Sequence, residues 1–137
     1  TLSKLVHAWV LARIDRDEAW RLFMEALVSD VSDVQGGTTQ EGIHLGAMVG
    51  TVDLLQRGFT GIETRNDLLR FDPFLPEEVS RLEFRMRYRQ HYGLEVNLTH
   101  DQLTVTGRRH AGEALRIHVA GETYEVDPGG ALSVPLD

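Results

Sequence analysis

Cysteine is absent from this 137-residue sequence, so disulfide bonds and thiolate metal sites are excluded. Long hydrophobic runs are also absent, because no apolar stretch approaches the roughly 18–20 residues of a membrane-spanning helix. Positive charge is scarce: 14 Lys and Arg residues stand against 21 Asp and Glu residues, which gives a net charge of −7. We therefore expect neither nucleic-acid binding nor membrane association, both of which need a positive surface. The lack of cysteine also favours a cytoplasmic location.

The composition that is present is that of an ordered globular protein. Apolar residues make up 42% of the chain and charged residues 26%, which excludes a disordered or fibrous polypeptide. This length suits one ordinary domain or two small ones. The sequence begins with Thr1 and enters an apolar, helix-like segment almost at once. We therefore expect it to be a piece of a longer polypeptide.

Helical periodicity extends over the first part of the chain. Ser3 is predicted to cap a first helix, which is apolar nearly all round and is therefore expected to be buried on most sides. Asp17 is predicted to cap a second helix with a broad apolar stripe, and a third helix is expected from Gln40 to Arg57. Three such helices cannot bury their apolar surfaces against one another alone. We therefore expect them to be the end of a larger helical domain.

Three glycines recur at every fourth position of the predicted third helix, namely Gly42, Gly46 and Gly50. This spacing puts them on one helix face, although each glycine weakens a helix by about 1 kcal/mol relative to alanine. A neighbouring backbone or a ligand is therefore expected to approach this face closely. Close packing of another helix is the favoured explanation.

The period of the apolar residues drops to two after Pro76. Apolar and charged side chains then alternate, which is typical of strands with one buried face. The predicted strand positions are Leu82 to Tyr88, Leu94 to Leu98 after a turn at His91-Tyr92-Gly93, Leu103–Val105, Leu115–Val119, Thr123–Val126 and Leu132–Val134. Residues 62–72 are interpreted as a loop or short extended structure. The pattern predicts an antiparallel sheet or sandwich.

The segment from Gly36 to His44, Gly-Gly-Thr-Thr-Gln-Glu-Gly-Ile-His, allows two interpretations. Its glycines and hydroxyl side chains precede a predicted helix start, whose free N–H groups and partial positive charge can hold an anion such as phosphate. His44 would supply a further donor. Alternatively, Thr38 and Glu41 have the spacing of a capping box, which stabilises a helix by about 1 kcal/mol without any ligand. Taken alone, these residues favour the capping box.

This segment and its surroundings resemble the C-terminal part of the maltose, trehalose and kojibiose phosphorylases. The similarity covers residues 1 to about 98 and is carried by Thr1-Leu2-Ser3, His7-Ala8-Trp9, the motif from Gly36 to Met48, Gly50-Thr51-Val52-Asp53 and the turn from Asp72 to Pro76. The resemblance implies an α+β fragment. The last helices of an (α/α)6 barrel would lie in residues 1–75, and a small antiparallel β-sheet domain in residues 76–137.

The resemblance also implies an activity. These phosphorylases cleave an α-glucosyl disaccharide with inorganic phosphate and invert the anomeric centre, and related enzymes hydrolyse trehalose instead. The family's general-acid glutamate lies upstream of this segment, so the chain is expected to hold no catalytic residue and to be inactive alone. The part expected here is the phosphate pocket, formed by Gly37, Thr38, Thr39 and His44 together with Thr1 and Ser3. Inorganic phosphate is then a co-substrate without any cofactor or metal, and the resemblance allows a homodimer of the parent enzyme.

Several other features have simpler explanations. A non-catalytic carbohydrate-binding or interaction module is the alternative function, but only Tyr88 and Tyr92 could stack on sugars. Three arginines at positions 85, 87 and 89 could bind phosphates, although a solvated sheet face paired with Glu83 and Glu95 is favoured. The histidines of the second half lack the spacing of a metal site. His7 is either a satisfied core residue or a partner of the anion pocket.

Overall fold

The computed structural model of the chain describes residues 2–33, 36, 40, 42–109 and 112–137. These residues form two units, Thr1–Phe59 and Thr60–Asp137. The first unit is helical and the second consists of strands. Residues 60–75, which the sequence analysis assigned to the helical part, lie in the second unit because they contribute strands to one of its sheets.

The described residues of the helical unit form three α-helices and one short π-helix. Helix α1 is Leu2–Leu11, α2 is Arg16–Leu27 and α3 is Leu45–Asp53, which continues into a π-helix at Leu54–Gly58. The cap of α2 is Asp15, whose carboxylate accepts a hydrogen bond from the Glu18 backbone N–H at 3.1 Å. The prediction of Asp17 was therefore wrong by two residues, and Asp17 instead lies in the first turn. No helix in the described part of the chain is long and apolar enough to cross a membrane.

Helix α3 begins later than the sequence predicted, at Leu45 rather than Gln40. Gly42 adopts a φ of 100°, which lies outside the helical region and is accessible to glycine at little cost. His44 is consequently the N-cap residue instead of lying one turn inside the helix. The predicted cap residues Thr38 and Glu41 lie outside the described residues.

Two of the three predicted interface glycines pack helix α3 against α1. A Cβ atom added at Gly50 would lie only 2.7 Å from Cδ1 of Leu5, and one added at Gly46 would lie 4.0 Å from Cδ1 of Leu2. Close helix packing at Gly50 is therefore confirmed. Since the pairs follow the same chain order, α1 and α3 run in the same direction, with Leu2 near the start of α3.

The helical unit buries only part of its apolar surface. Its core contains Leu5, Ala8, Ala19, Phe23, Ala26, Leu54 and Phe59, and Trp20, Phe23 and Phe59 form an aromatic cluster with ring centroids 5.1–6.3 Å apart. One stripe of α1 and one of α3 are exposed within this unit, namely Leu2, Val6 and Val10 on α1 and Leu45, Val49 and Val52 on α3. Helix α1 exposes these side chains within this unit by itself, so its burial on most sides stays a prediction for the longer polypeptide. The expectation that three helices leave apolar faces uncovered is confirmed.

The second unit consists of two four-stranded sheets. Its strands are β1 Glu63–Arg65, β2 Leu68–Arg70, β3 Arg81–Tyr88, β4 His91–Thr99, β5 Gln102–Thr106, β6 Leu115–Val119, β7 Glu122–Val126 and β8 Ala131–Pro135. One sheet has the order β3-β4-β5-β8 and is antiparallel throughout. The other has the order β1-β2-β6-β7, and its β2–β6 pair is parallel. The predicted antiparallel arrangement is thus confirmed except at this pair.

The alternation predicted for the strand from Leu82 to Tyr88 is confirmed by its burial pattern. The turn after it lies at Arg89 and Gln90, two residues before the predicted turn, since His91 already pairs with Tyr88. Both sheets contribute to one hydrophobic core, with Leu69, Leu94, Val96, Leu98, Leu103 and Ile117 completely buried.

Candidate functional site

Two hydrogen bonds connect His44 to Asp30, which lies in the turn after α2. Its backbone N–H donates to Oδ2 of Asp30 at 2.9 Å, and its ring Nδ1 lies 2.5 Å from Oδ1 of Asp30. The two residues are 14 positions apart, and they meet because the turn that ends α2 faces the start of α3. His44 thus has a fixed backbone position and a fixed ring nitrogen.

The Asp30 carboxylate is well shielded from water, with only 9% of its side chain exposed, whereas 32% of the His44 side chain is exposed. The hydrogen bond from the His44 ring holds the pKa of Asp30 below its ordinary value of 3.8, and the His44 backbone N–H and ring charge act in the same direction. Partial burial opposes them; it is weaker than the ring hydrogen bond but stronger than either of the other two effects. Asp30 is therefore ionised at neutral pH and accepts hydrogen bonds only.

The start of helix α3, beside His44, carries little negative charge of its own. Helix α3 has no acidic residue in its first turn, whereas α2 has Asp17 and Glu18 there in addition to its Asp15 cap. The N-terminal end of α3 therefore presents partial positive charge that its own first turn does not neutralise. Such an end suits an anion, and Asp30 is the one carboxylate that the described residues place against His44.

Two family models match separate parts of the chain. Residues 1–53 match the glycosyl hydrolase family 65 central catalytic domain, and residues 62–126 match the C-terminal domain of the same family. The chain belongs to glycosyl hydrolase family 65. The two matched ranges correspond to the helical unit and to the strand unit, and the resemblance inferred from the sequence motifs is confirmed.

Individual members of family 65 show the same relationship. An uncharacterised glycosyl hydrolase of Mycobacterium tuberculosis is 44% identical over 134 residues, which cover 98% of this chain and 10% of that protein. Trehalose 6-phosphate phosphorylase of Lactococcus lactis is 35% identical over 77% of this chain and 14% of its own length. A solved structure from the human microbiome, provisionally named a kojibiose phosphorylase, matches with a TM-score of 0.83 and 25% identity over 99% of this chain and 19% of its own. This chain therefore spans less than a fifth of each of these proteins.

The predicted phosphate-pocket residues of this family 65 chain are only partly described. Thr1, Gly37, Thr38 and Thr39 lie outside the described residues. Ser3 is exposed in the first turn of α1 rather than at its cap, and Leu2 beside it approaches Gly46 near the start of α3. Ser3 and His44 therefore belong to the same end of the helical unit.

Asp30 is the residue that sequence reasoning missed. It lies in the segment Val28-Ser29-Asp30-Val31-Ser32-Asp33, where serine and aspartate are ordinary loop residues. No spacing rule connects it to His44, because the pair forms between two loops. Only the packing of α2 against α3 reveals it.

The other candidates from the sequence have structural roles. Arg85 pairs with Glu95 on the neighbouring strand at 2.7 Å, as predicted, whereas Glu83 pairs with Arg81 instead. Arg89 pairs with Asp67, and Arg87 lies over the exposed ring of Tyr92, 4.4 Å from its centroid. These contacts support the predicted solvated face.

Two further expectations concern aromatic residues and histidines. Tyr88 is buried in the core, so it cannot form a sugar-stacking pair with Tyr92. His7 is exposed on α1 within this unit, which does not fit the first of its two interpretations, a satisfied core residue. Within residues 2–33, 36, 40, 42–109 and 112–137, no group of histidine and acidic side chains has the arrangement of a metal site.

Proposed function

We propose that this chain is the C-terminal part of a family 65 enzyme that cleaves an α-glucosyl disaccharide by phosphorolysis with inversion. The family assignment and the phosphorylases among its relatives support this proposal. Inorganic phosphate is the co-substrate, no cofactor or metal is required, and the parent enzyme acts in the cytoplasm.

The observation that carries the proposal is the fixed position of His44 at the N-terminal end of α3. Nδ1 of the ring is held by Asp30, so Nε2 is the nitrogen available to a ligand. The N-terminal end of α3, which has no acidic residue in its first turn, adds partial positive charge at the same place. Together with the glycines and threonines of the predicted pocket, these groups suit phosphate.

The chemistry follows from inversion at one carbon. An inverting hydrolase uses one carboxylic acid to protonate the leaving oxygen and a second carboxylate to activate water on the opposite face of the sugar. In phosphorolysis, an oxygen of phosphate attacks the anomeric carbon directly, the glycosidic bond breaks, and the leaving oxygen takes its proton from the general acid. The phosphate pocket then replaces the second carboxylate, and β-glucose 1-phosphate is formed. The general acid is expected outside this chain.

The exposed stripes of α1 and α3 support the barrel part of the proposal. Six large apolar side chains that are exposed in the helical unit lie on two neighbouring helices: Leu2, Val6, Val10, Leu45, Val49 and Val52. Soluble proteins rarely leave such a surface uncovered. We assign it to packing against other helices of the barrel, so the isolated chain lacks both the sugar site and the general acid.

The direct test is a product analysis on the full-length enzyme with and without phosphate. We expect glucose 1-phosphate to form only with phosphate, and His44→Ala to raise the KM for phosphate by about tenfold or more, as a lost charged hydrogen bond would. His100→Ala, which changes an exposed histidine of the strand unit, is the control and should leave the KM unchanged. Free glucose as the sole product, at a rate independent of phosphate, would contradict the proposal and indicate hydrolysis. An unaltered phosphate KM in His44→Ala would refute the role of His44.

A further inference from the structure

The contact between Asp30 and His44 determines more than the position of the histidine. Both oxygens of one carboxylate are used, one by the backbone N–H of His44 and the other by its ring. Because the Asp30 carboxylate bonds to both the backbone and the ring of His44, it fixes the orientation of the imidazole ring as well as its distance from Asp30. It also determines which ring nitrogen carries the proton, because an ionised carboxylate can only accept.

We propose that Asp30 is a positioning residue that keeps the ring proton of His44 on Nδ1 and thereby presents Nε2 to the ligand. The identity of that ligand as phosphate rests on the function proposed above. Asp30 itself does not contact the phosphate in this arrangement. It acts through His44, as carboxylates do on histidines that bind metals.

Burial makes this control effective. The Asp30 side chain is only 9% exposed, so water competes poorly for the oxygen that faces Nδ1. The His44 side chain is 32% exposed, which leaves the edge of the ring that carries Nε2 accessible. Among the described residues, the structure gives Nε2 of His44 no hydrogen-bond partner. Nε2 can then accept a hydrogen bond from a protonated phosphate oxygen, or donate one to an unprotonated oxygen when the ring is charged.

The amide variant Asp30→Asn gives a specific test of the proton position. Its side chain has nearly the same shape but only one accepting oxygen. The backbone N–H of His44 is always a donor and is expected to retain that oxygen. The amide NH₂ group then faces Nδ1, which must become an acceptor, so the ring proton moves to Nε2. A similar change of tautomer follows when the aspartate of a Ser-His-Asp triad is replaced by asparagine.

Nitrogen-15 NMR of the 137-residue chain measures this directly, because protonated and unprotonated ring nitrogens have well-separated shifts. With the ring neutral, we expect the wild-type His44 to be protonated at Nδ1 and Asp30→Asn to be protonated at Nε2. Asp30→Glu keeps a carboxylate and should keep the proton on Nδ1. Asp53→Asn is the matched control, since Asp53 lies at the far end of α3, about 13 Å of helical rise from His44, and should change nothing.

Two results would overturn the proposal: a wild-type ring protonated at Nε2, or an Asp30→Asn ring that remains protonated at Nδ1. The wild-type spectrum needs no variant, so the proposal stays testable if Asp30→Asn fails to fold. Kinetics on the full-length enzyme then separate this inference from the proposed function. We expect Asp30→Asn to raise the KM for phosphate by about tenfold or more, the usual effect of losing such a supporting carboxylate, without a comparable change in the KM for the disaccharide. A changed tautomer with an unchanged phosphate KM would support the role of Asp30 and contradict phosphate as the ligand.

Discussion

At the scale of single residues, the helical unit uses one carboxylate to organise a histidine from a different loop. Asp30 and His44 are brought together by packing rather than by sequence proximity. His44 could be selected from the sequence because it belongs to a long motif that resembles the phosphorylases. Asp30 could not, because a lone aspartate in a serine-rich turn has many structural uses. The sequence therefore identifies His44 but not Asp30, the residue that contacts it.

The lowered pKa of Asp30 predicts how this contact responds to acid. The folded-state pKa lies below the ordinary value of 3.8, so the ionised carboxylate stabilises the fold above that pH and loses its contribution as the pH falls through the lowered pKa. The difference in free energy of unfolding between wild type and Asp30→Asn should shrink as the pH falls from about 5 towards 2. Urea unfolding across this range measures it.

Other acidic residues do not obscure this comparison. Glu18 and Glu25 also have lowered pKa values because of their ion pairs with Arg21 and Lys4, but both proteins share them. A difference that stays constant down to pH 2 would mean that Asp30 stabilises the fold by shape alone. Asp53→Asn serves as the control, since the contact of Asp53 with Arg57 is exposed and contributes little.

At the scale of elements, two glycines of α3 allow the contribution of helix packing to stability to be separated from that of helix propensity. Gly50 faces Leu5, which is 2% exposed, whereas Gly46 faces Leu2, which is 58% exposed and free to move. Both positions are helical, so alanine would favour the helix equally at each. The difference between the two substitutions therefore isolates the packing against α1.

We expect Gly46→Ala to stabilise the chain by up to about 1 kcal/mol, the helix-propensity gain. Gly50→Ala brings a methyl group within 2.7 Å of a buried leucine, and overpacking of this kind costs about 1–3 kcal/mol. It should therefore destabilise the chain by roughly 0–2 kcal/mol net. Thermal unfolding of both variants tests the prediction. Equal stabilisation by Gly46→Ala and Gly50→Ala would show that Leu5 of α1 moves aside without a cost in stability.

The elements that the sequence predicted well are those with long, regular patterns. Strand β3 alternates over eight residues, and its buried face was predicted correctly. Strands β1 and β2 have three residues each, too few for any period, and β2 pairs with β6 far along the chain. Their hairpin turns at Asn66 and Asp67, both with positive φ, which those two residue types tolerate. The start of α3 was placed too early because apolar spacing does not report a φ of 100° at Gly42.

At the scale of the whole molecule, the two units differ in how completely they bury their apolar side chains. The strand unit completes a core from both of its sheets. The helical unit exposes two apolar stripes, which we assign to the remainder of a barrel. Each unit therefore predicts a different behaviour when it is studied in isolation.

The exposed stripes predict that the 137-residue chain binds the hydrophobic dye ANS. Val10 and Val49 are 60% and 67% exposed, so replacing both by lysine should lower dye fluorescence with little change in melting temperature. Surface substitutions of this kind usually alter stability by less than about 0.5 kcal/mol. Val134→Lys, which charges a buried core position, is the contrasting variant and should lower the melting temperature strongly. Unchanged fluorescence in the double variant would contradict the assignment of these stripes as one accessible surface.

The division at Phe59 predicts which part of the chain folds independently. Residues 60–137 contain the strands β1 to β8, whereas residues 76–137 lack β1 and β2 and the core side chains of Ile62, Leu69, Phe71 and Leu75. The longer segment should unfold cooperatively in urea, and the shorter one should not. Both are compared by circular dichroism and proton NMR dispersion. Cooperative unfolding of residues 76–137 would show instead that β1 and β2 are dispensable.

The parallel pairing of β2 with β6 also has a consequence during protein synthesis. Strand β2 leaves the ribosome before the whole of the other sheet, and its partner β6 follows only after β3, β4 and β5. At roughly 5–20 residues per second, this delay is on the order of 2–9 s. The β3-β4-β5 meander can form in that time, while the hairpin of β1 and β2 waits with an open edge. A translational pause after β5 has left the ribosome and before β6 has done so would therefore prolong the time during which the free edge of β2 can mispair.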